Sequence, residues 1–204
     1  YVMEDTGGEI GTGWSTSSSY TMHAGYQQND EEMYISLTMS TSTVLSPSVN
    51  GLSGGMATGS NEIIVRTNVS AGYTLEIKAS TSPALYRIGS SEGFSDYTTS
   101  STDPDFAWQV DSNTSEFGFS IEGVDVVQRY LNNGSDTCNQ SGGVSTANTC
   151  WDNFSTSNKT LSQSSLGNRD GKTTNLYLRA ESGSQNVQPS GVYQAELTVT
   201  VYAN

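Results

Sequence analysis

The last regular stretch of the chain, residues 192–202, alternates strictly between apolar and polar side chains. The apolar positions are Tyr193, Ala195, Leu197, Val199 and Val201. A period of two is that of a β-strand with one buried face, and Val, Thr and Tyr favour such a surface. A turn at Gly191 precedes it. The chain must therefore bury at least one long strand against a hydrophobic core.

Similar alternation elsewhere predicts about nine strands and no helix. The clearest are residues 32–39, 62–67, 73–79, 106–110, 116–121 and 176–180. On the first of these, Met33, Ile35, Leu37 and Met39 face inward. Two predicted hairpins, 62–67 with 73–79 and 106–110 with 116–121, place Phe106, Trp108, Phe117 and Phe119 side by side.

The intervening segments are polar. Residues 81–104 are predicted as a loop, 124–132 as a strand or one helical turn, and 133–165 as a polar segment. Strands joined by Gly-, Ser- and Asn-rich connections are typical of a sandwich. We therefore predict a single all-β domain over residues 20–204, an antiparallel β-sandwich or jelly-roll-like fold with long polar loops. A strand arm over residues 1–19 precedes it.

The charge balance excludes two classes of partner. Eight Lys and Arg oppose 21 Asp and Glu, for a net charge of -13. Such a chain cannot build the basic face that nucleic acids or anionic membrane surfaces require. No transmembrane span or signal peptide is recognised, and residue 1 is not Met. We therefore expect a targeting segment to have been removed, with no membrane insertion of the mature chain.

Two cysteines, Cys138 and Cys150, flank a polar loop. A metal site normally takes four ligands, and the single histidine, His23, is far away in sequence. A disulfide is the favoured interpretation, with two free thiols as the alternative. It predicts an oxidising, extracytoplasmic location and about 3 kcal/mol of stabilisation.

The N-terminus combines a short strand, a Gly/Ser/Thr-rich tether and a second strand. The first strand contains Tyr1, Val2, Met3, Glu4 and Asp5, the tether covers 6–19, and the second strand covers 20–26. Both strands begin with Tyr-x-Met. This layout predicts either a hairpin with a long loop or a detachable arm followed by the first strand of the domain.

No catalytic motif stands out, and we predict that the protein is not an enzyme. A Ser-His-Asp triad would have to use His23, and no Gly-x-Ser-x-Gly elbow is present. The carboxylates considered for glycoside hydrolysis are Asp103, Asp105, Glu116, Glu122 and Asp125. With 21 acidic residues, solvated carboxylates are the favoured interpretation of these pairs.

We predict no cofactor. Structural calcium is the alternative, with loops 103–105 and 168–171 as its best oxygen donors, although neither has EF-hand spacing.

Glycan attachment and glycan binding are two further options. Six Asn-x-Ser/Thr sequons occur, at Asn68, Asn113, Asn133, Asn139, Asn153 and Asn158. The candidates for stacking on a bound sugar are Trp14, Tyr26, Trp151 and Tyr202. Anchoring in the core is the favoured interpretation for Trp151.

Several stretches carry a resemblance, among them residues 17–28, 71–75, 115–119, 150–152 and 191–193. They resemble secreted β-sandwich surface proteins of environmental bacteria, including candidate-phyla lineages. The layout is also similar to subunits of donor-strand filaments, namely TasA-like fibres and chaperone–usher pilins. The resemblance implies a surface location and carries over no catalytic residue.

Together these features lead to one main hypothesis: an extracellular filament subunit that partners with copies of itself. Residues 1–5 would complete the sheet of a neighbouring copy. The alternative is a monomeric cell-surface adhesin or carbohydrate-binding β-sandwich, and a hydrolase with two carboxylates is a remote third.

Overall fold

The computed structural model describes the strands Gly13–Thr16 and Thr21–Ala24 and all residues from 32 to 204. The chain divides into two compact units, Tyr1–Met33 and Tyr34–Asn204. The second unit is therefore smaller than the predicted domain of residues 20–204. The predicted donor strand, residues 1–5, lies outside the described residues.

The first unit contains a two-stranded antiparallel sheet. Strand β1 (Gly13–Thr16) pairs with β2 (Thr21–Ala24), and Trp14 lies opposite His23. Strand β1 falls inside the predicted tether. Its Ser and Thr residues give no apolar alternation, and backbone hydrogen bonds form a sheet without it.

The regular secondary structure of the second unit is almost entirely β-strand, which confirms the all-β class. In chain order they are β3 (Ile35–Thr38), β4 (Gly55–Thr67), β5 (Tyr73–Ala79), β6 (Leu85–Arg87), β7 (Gly93–Asp96), β8 (Ser115–Gly123), β9 (Asp152–Asn153), β10 (Lys159–Ser164), β11 (Asn168–Ser182), β12 (Tyr193–Ala195) and β13 (Leu197–Ala203). The undecided segment 124–132 contains one 3₁₀ turn, Gln128–Tyr130. Over the part of the chain described, no helix is long and apolar enough to cross a membrane.

The strands form a large mixed sheet and a small sheet. The large sheet has the order β12-β6-β7-β8-β11-β4-β3, with β9 also on β8, and the small one has the order β10-β5-β13. All pairs are antiparallel except β7 with β8. The long strand β11 pairs with β4 on one side and β8 on the other. Strand β11 therefore joins the two halves of the large sheet.

The core lies between the two sheets. From the large sheet come Ile63, Val65, Phe117, Phe119 and Ile121, and from the small sheet come Tyr73, Leu75, Ile77 and Ala79, all buried. The inward face predicted for 73–79 is confirmed. The predicted hairpin of 62–67 with 73–79 is wrong, because β4 belongs to the large sheet and β5 to the small sheet. On β3 and directly after it, Ile35, Leu37 and Met39 pack against the core as predicted. The side chain of Met33, which was predicted to face inward, is 76% exposed.

The C-terminal segment is two strands rather than one. Strand β12 pairs with β6 in the large sheet, and β13 pairs with β5 in the small sheet. Glu196 lies at the break, and its carbonyl accepts a hydrogen bond from the Ser80 amide at 2.9 Å. The predicted apolar face still packs against the core along its whole length. The apolar and polar residues keep alternating across the break because the same side of the C-terminal segment faces the core in β12 and in β13.

The predicted strand 106–110 is wrong. Strand β8 already pairs with β11 on one edge and with β7 and β9 on the other, so no edge remains for it. Trp108 instead stacks on Tyr97, with ring centroids 4.2 Å apart, and contacts Trp151 edge-on at 5.1 Å.

The polar segments also hold more strand than predicted. Residues 81–104 contain β6 and β7, and residues 133–165 contain β9 and β10. These short strands carry few apolar residues and depend on their sheet neighbours.

Candidate functional site

The second unit carries an apolar groove of about 850 Å³. Its floor is the inner face of the large sheet, with Phe117, Leu176, Leu178 and Ala180. One wall is the C-terminal segment, including Leu197 and Val199, and the other is the loop that follows β3, including Met39 and Leu45. The groove therefore opens directly onto the hydrophobic core.

One wall includes the edge strand β13, and the other is the loop that follows the edge strand β3. Within the described residues, β13 pairs only with β5, and β3 pairs only with β4. Strand β3 lies beside β13, and no ladder joins the two in the part of the chain described. An edge strand presents a row of backbone N–H and C=O groups to which a further strand can bind. The groove thus combines apolar surface with backbone hydrogen-bonding capacity.

Apolar side chains on the rim are strongly exposed. Val44 is 85% exposed and Val192 is 69% exposed, and both line the groove. On β13, Leu197 and Val199 are only half-buried although they pack against the core. Exposed apolar side chains around an apolar groove are typical of a binding surface.

The loop wall is held firmly by β4. The Asn61 side chain accepts a hydrogen bond from the Ser40 amide at 3.1 Å and donates to the Ser40 carbonyl at 2.8 Å and to Thr43 Oγ1 at 3.0 Å. Ser46 and Thr58 exchange two backbone bonds of 2.9 Å. These bonds hold the loop wall of the groove against β4.

Polar groups at the far end of the groove satisfy one another. Gln188 Nε2 donates to the Tyr193 hydroxyl at 2.8 Å, and that hydroxyl donates to the Pro189 carbonyl at 2.6 Å. The Tyr193 ring also packs edge-on against Phe94, with centroids 5.2 Å apart. A ligand of the groove would therefore bind through apolar contact and strand pairing.

One pair of the carboxylates considered for catalysis is too far apart to share a site. Glu116 and Glu122 lie at the two ends of β8, roughly 20 Å apart at the rise of a strand, which exceeds the spacing that glycoside hydrolysis uses. Burial raises the pKa of Glu116, which accepts a hydrogen bond from the Thr98 amide at 3.0 Å. Glu122 accepts from the Tyr177 hydroxyl at 2.7 Å.

The remaining acids are also hydrogen-bonded within the fold. Asp105 accepts from the Tyr97 hydroxyl at 2.9 Å, and Asp125 from the Tyr73 hydroxyl at 3.1 Å. Asp103 accepts from Asn139 Nδ2 at 2.9 Å. Among the residues described, no three His, Cys, Asp or Glu side chains are grouped as metal ligands would be.

The predicted disulfide forms between Cys138 and Cys150, with Cα atoms 5.7 Å apart. It indicates a non-reducing environment. Of the sugar-stacking candidates, Trp151 is 2% exposed and belongs to the core, while Tyr202 is 46% exposed and donates to Glu76 at 3.2 Å. The side chains of Trp14, His23 and Tyr26 are not among those that the structure describes.

The sequons divide by exposure. Asn113, Asn133 and Asn158 are exposed, whereas Asn68, Asn139 and Asn153 are half-buried. The half-buried side chains make hydrogen bonds within the fold.

Sequence reasoning missed one ionic cluster. Asp152 is fully buried and accepts a hydrogen bond from Arg129 Nε at 2.9 Å, and Lys159 Nζ lies 2.9 Å from its other oxygen. Burial lowers the pKa of Lys159. Burial opposes ionisation of Asp152, yet its hydrogen bond to Arg129 and the charge of Lys159 hold its pKa below the usual value. The three residues come from separate segments, and no local pattern predicts their meeting.

Comparison with known protein families, curated proteins and solved structures finds no match to this chain.

Proposed function

We propose that the protein is the subunit of an extracellular filament in which each copy inserts a strand into the groove of the next. The observation that carries the proposal is the apolar groove between β13 and the loop that follows β3, beside two strands that are at sheet edges within the described residues. A strand bound there would pair with an exposed backbone edge and cover core side chains that are now half-buried.

The donor in this proposal is the segment of residues 1–5 of a second copy. Its alternation would turn Tyr1 and Met3 inward, or Val2 in the other register. Full burial of an apolar side chain contributes about 1.5–3 kcal/mol, before the cost of ordering the segment. Tyr1 and Met3 together would contribute about 3–6 kcal/mol, and backbone pairing along the edge strand would add to this against the cost of association.

The reach of the arm sets the geometry of the contact. Fully extended, residues 6–19 span roughly 45 Å. With the hairpin of β1 and β2 intact, residues 6–12 still span roughly 23 Å. A head-to-tail contact that does not close into a ring produces a filament. The disulfide is consistent with assembly outside the reducing cytoplasm.

Electron microscopy of the purified full chain tests the proposal. We expect filaments from the full chain and single particles after deletion of residues 1–5. A matched pair of variants tests the groove: Val199→Lys places a charge in the groove wall, whereas Thr200→Lys places it on the exposed face of the same strand. Only the first is expected to block assembly while circular dichroism stays unchanged.

Different failures have different meanings. A full chain that remains monomeric at every concentration would overturn the filament proposal. Filaments that survive the deletion would overturn residues 1–5 as the donor. The alternative function, a carbohydrate-binding adhesin, has less support because Trp151 is buried. Binding of the intact monomer on a glycan array would favour it.

A further inference from the structure

A lysine and an asparagine side chain meet beside the buried carboxylate of Asp152. Lys159 Nζ lies 2.6 Å from Asn153 Oδ1 and 2.9 Å from Asp152 Oδ1. Asn153 Nδ2 donates to the Phe154 carbonyl at 3.0 Å, so the amide carbonyl is turned toward the lysine. The amine is therefore held next to the carbonyl carbon that it would have to attack.

From this geometry we propose that Lys159 and Asn153 join through a side-chain amide bond, formed by the protein itself with Asp152 as acid and base. The proposal concerns a covalent modification of the second unit. It does not depend on whether the protein forms filaments.

The surroundings favour a neutral, nucleophilic amine. The side chain of Lys159 is only 20% exposed, and that of Asp152 is 0% exposed. Within hydrogen-bonding distance, Arg129 and Lys159 share the single carboxylate of Asp152. Burial lowers the pKa of Lys159, because a charged amine is poorly solvated there. Loss of the lysine charge leaves Arg129 and Asp152 as a matched pair.

The reaction needs no other reactant. The ammonium of Lys159 passes a proton to Asp152, and the free amine attacks Cγ of Asn153 to form a carbon–nitrogen bond. The Cγ–Nδ2 bond then breaks while Nδ2 receives the two protons given up by the amine, one of them through Asp152. An ammonium ion leaves, so one ammonium and one primary amide become one secondary amide and one ammonium.

The bond would join the two sheets. Asn153 belongs to β9, which pairs with β8 of the large sheet, whereas Lys159 begins β10, which pairs with β5 of the small sheet. The covalent link would therefore restrain the two layers from separating at this point.

Mass spectrometry of the full chain after reduction of its disulfide tests the bond. We expect a mass lower than that of the sequence by one ammonia. Trypsin should not cleave at the modified Lys159, so a peptide of residues 130–169 should replace those of 130–159 and 160–169. Ammonia loss by succinimide formation at Asn133 before Gly134 would leave cleavage after Lys159 intact.

Two variants complete the test. Lys159→Arg keeps a cation and a trypsin site but has no amine nucleophile, so it should show the full mass and complete cleavage. Asp152→Asn should also show the full mass, with circular dichroism reporting whether it folds. A wild-type chain with the full sequence mass and cleavage after Lys159, or with a glycan on Asn153, would overturn the bond. A folded Asp152→Asn protein that still loses ammonia would overturn the role of Asp152.

Discussion

We expect the replacement of Asp152 by Asn to lower the free energy of unfolding more than most single substitutions. The substitution keeps the size of the side chain but removes the charge that Arg129 and Lys159 share. It also weakens the acceptor for the Tyr130 hydroxyl, which lies 3.2 Å from Asp152 Oδ2. Two cations would then face one another in a poorly solvated site.

The size of the effect follows from burial. Removing one partner of a buried ion pair costs about 3–5 kcal/mol. The side chains of Arg129 and Lys159 keep 37% and 20% exposure, so water relieves part of that penalty. We therefore expect a loss of about 3 kcal/mol. The pair Arg87–Glu92 is the matched control, because its atoms are 2.6 Å apart and Glu92 is 47% exposed. Glu92→Gln should cost less than about 1 kcal/mol.

Urea unfolding, followed by the fluorescence of the tryptophans, measures both losses. The slope of the free energy with urea should be unchanged, so the midpoint alone should move. The measurement is repeated in the Lys159→Arg background, which retains the second cation and cannot form the side-chain amide. If Asp152→Asn costs no more than Glu92→Gln in both backgrounds, the cluster does not stabilise the fold and the reasoning fails.

Three further predictions concern the core, the disulfide and one tyrosine. Leu75→Ala removes a fully buried side chain and should lower the free energy of unfolding by about 2–5 kcal/mol, whereas Leu52→Ala, at a position 77% exposed, should change it by less than about 0.5 kcal/mol in the same urea assay. Reducing the disulfide at Cys138 should cost about 3 kcal/mol, seen as a lower midpoint with reductant, and an unchanged midpoint would contradict this. Burial and the hydrogen bond to Glu122 raise the pKa of Tyr177 to about 12, so its contribution to stability is complete below about pH 10 and is lost as the pH rises toward 12. Tyr177→Phe should flatten the pH dependence of the urea midpoint across that window, and an equally steep curve would refute the assignment.

The groove and the ionic cluster involve different parts of the second unit. The groove lies between β13 and the loop after β3, and the cluster joins β9, β10 and the 3₁₀ turn. A variant of one is therefore expected to leave the other intact. Filament assembly by Lys159→Arg and normal cross-linking in Val199→Lys would both fit this independence.

The sequence alone determined the features that depend on neighbouring residues. Alternation identified the inward faces of β5 and the C-terminal segment, because successive side chains of any strand point to opposite sides. Cysteine spacing identified the disulfide Cys138–Cys150. The short strands β6 and β7 were missed because three or four residues carry too little alternation. The prediction for 106–110 was wrong because Trp108 packs against Tyr97 and Trp151 instead.

Only the tertiary structure decided which edges stay open and which distant side chains meet. The C-terminal segment changes sheets at Glu196, which leaves β13 at a sheet edge beside the groove within the described part of the chain. Asp152, Arg129 and Lys159 meet because β9, the 3₁₀ turn and β10 come together in the fold. The physical reason is the same in both cases. Strand pairing and ion pairing join residues that are far apart in the chain, whereas hydrophobic alternation records only the direction of each side chain from its own strand.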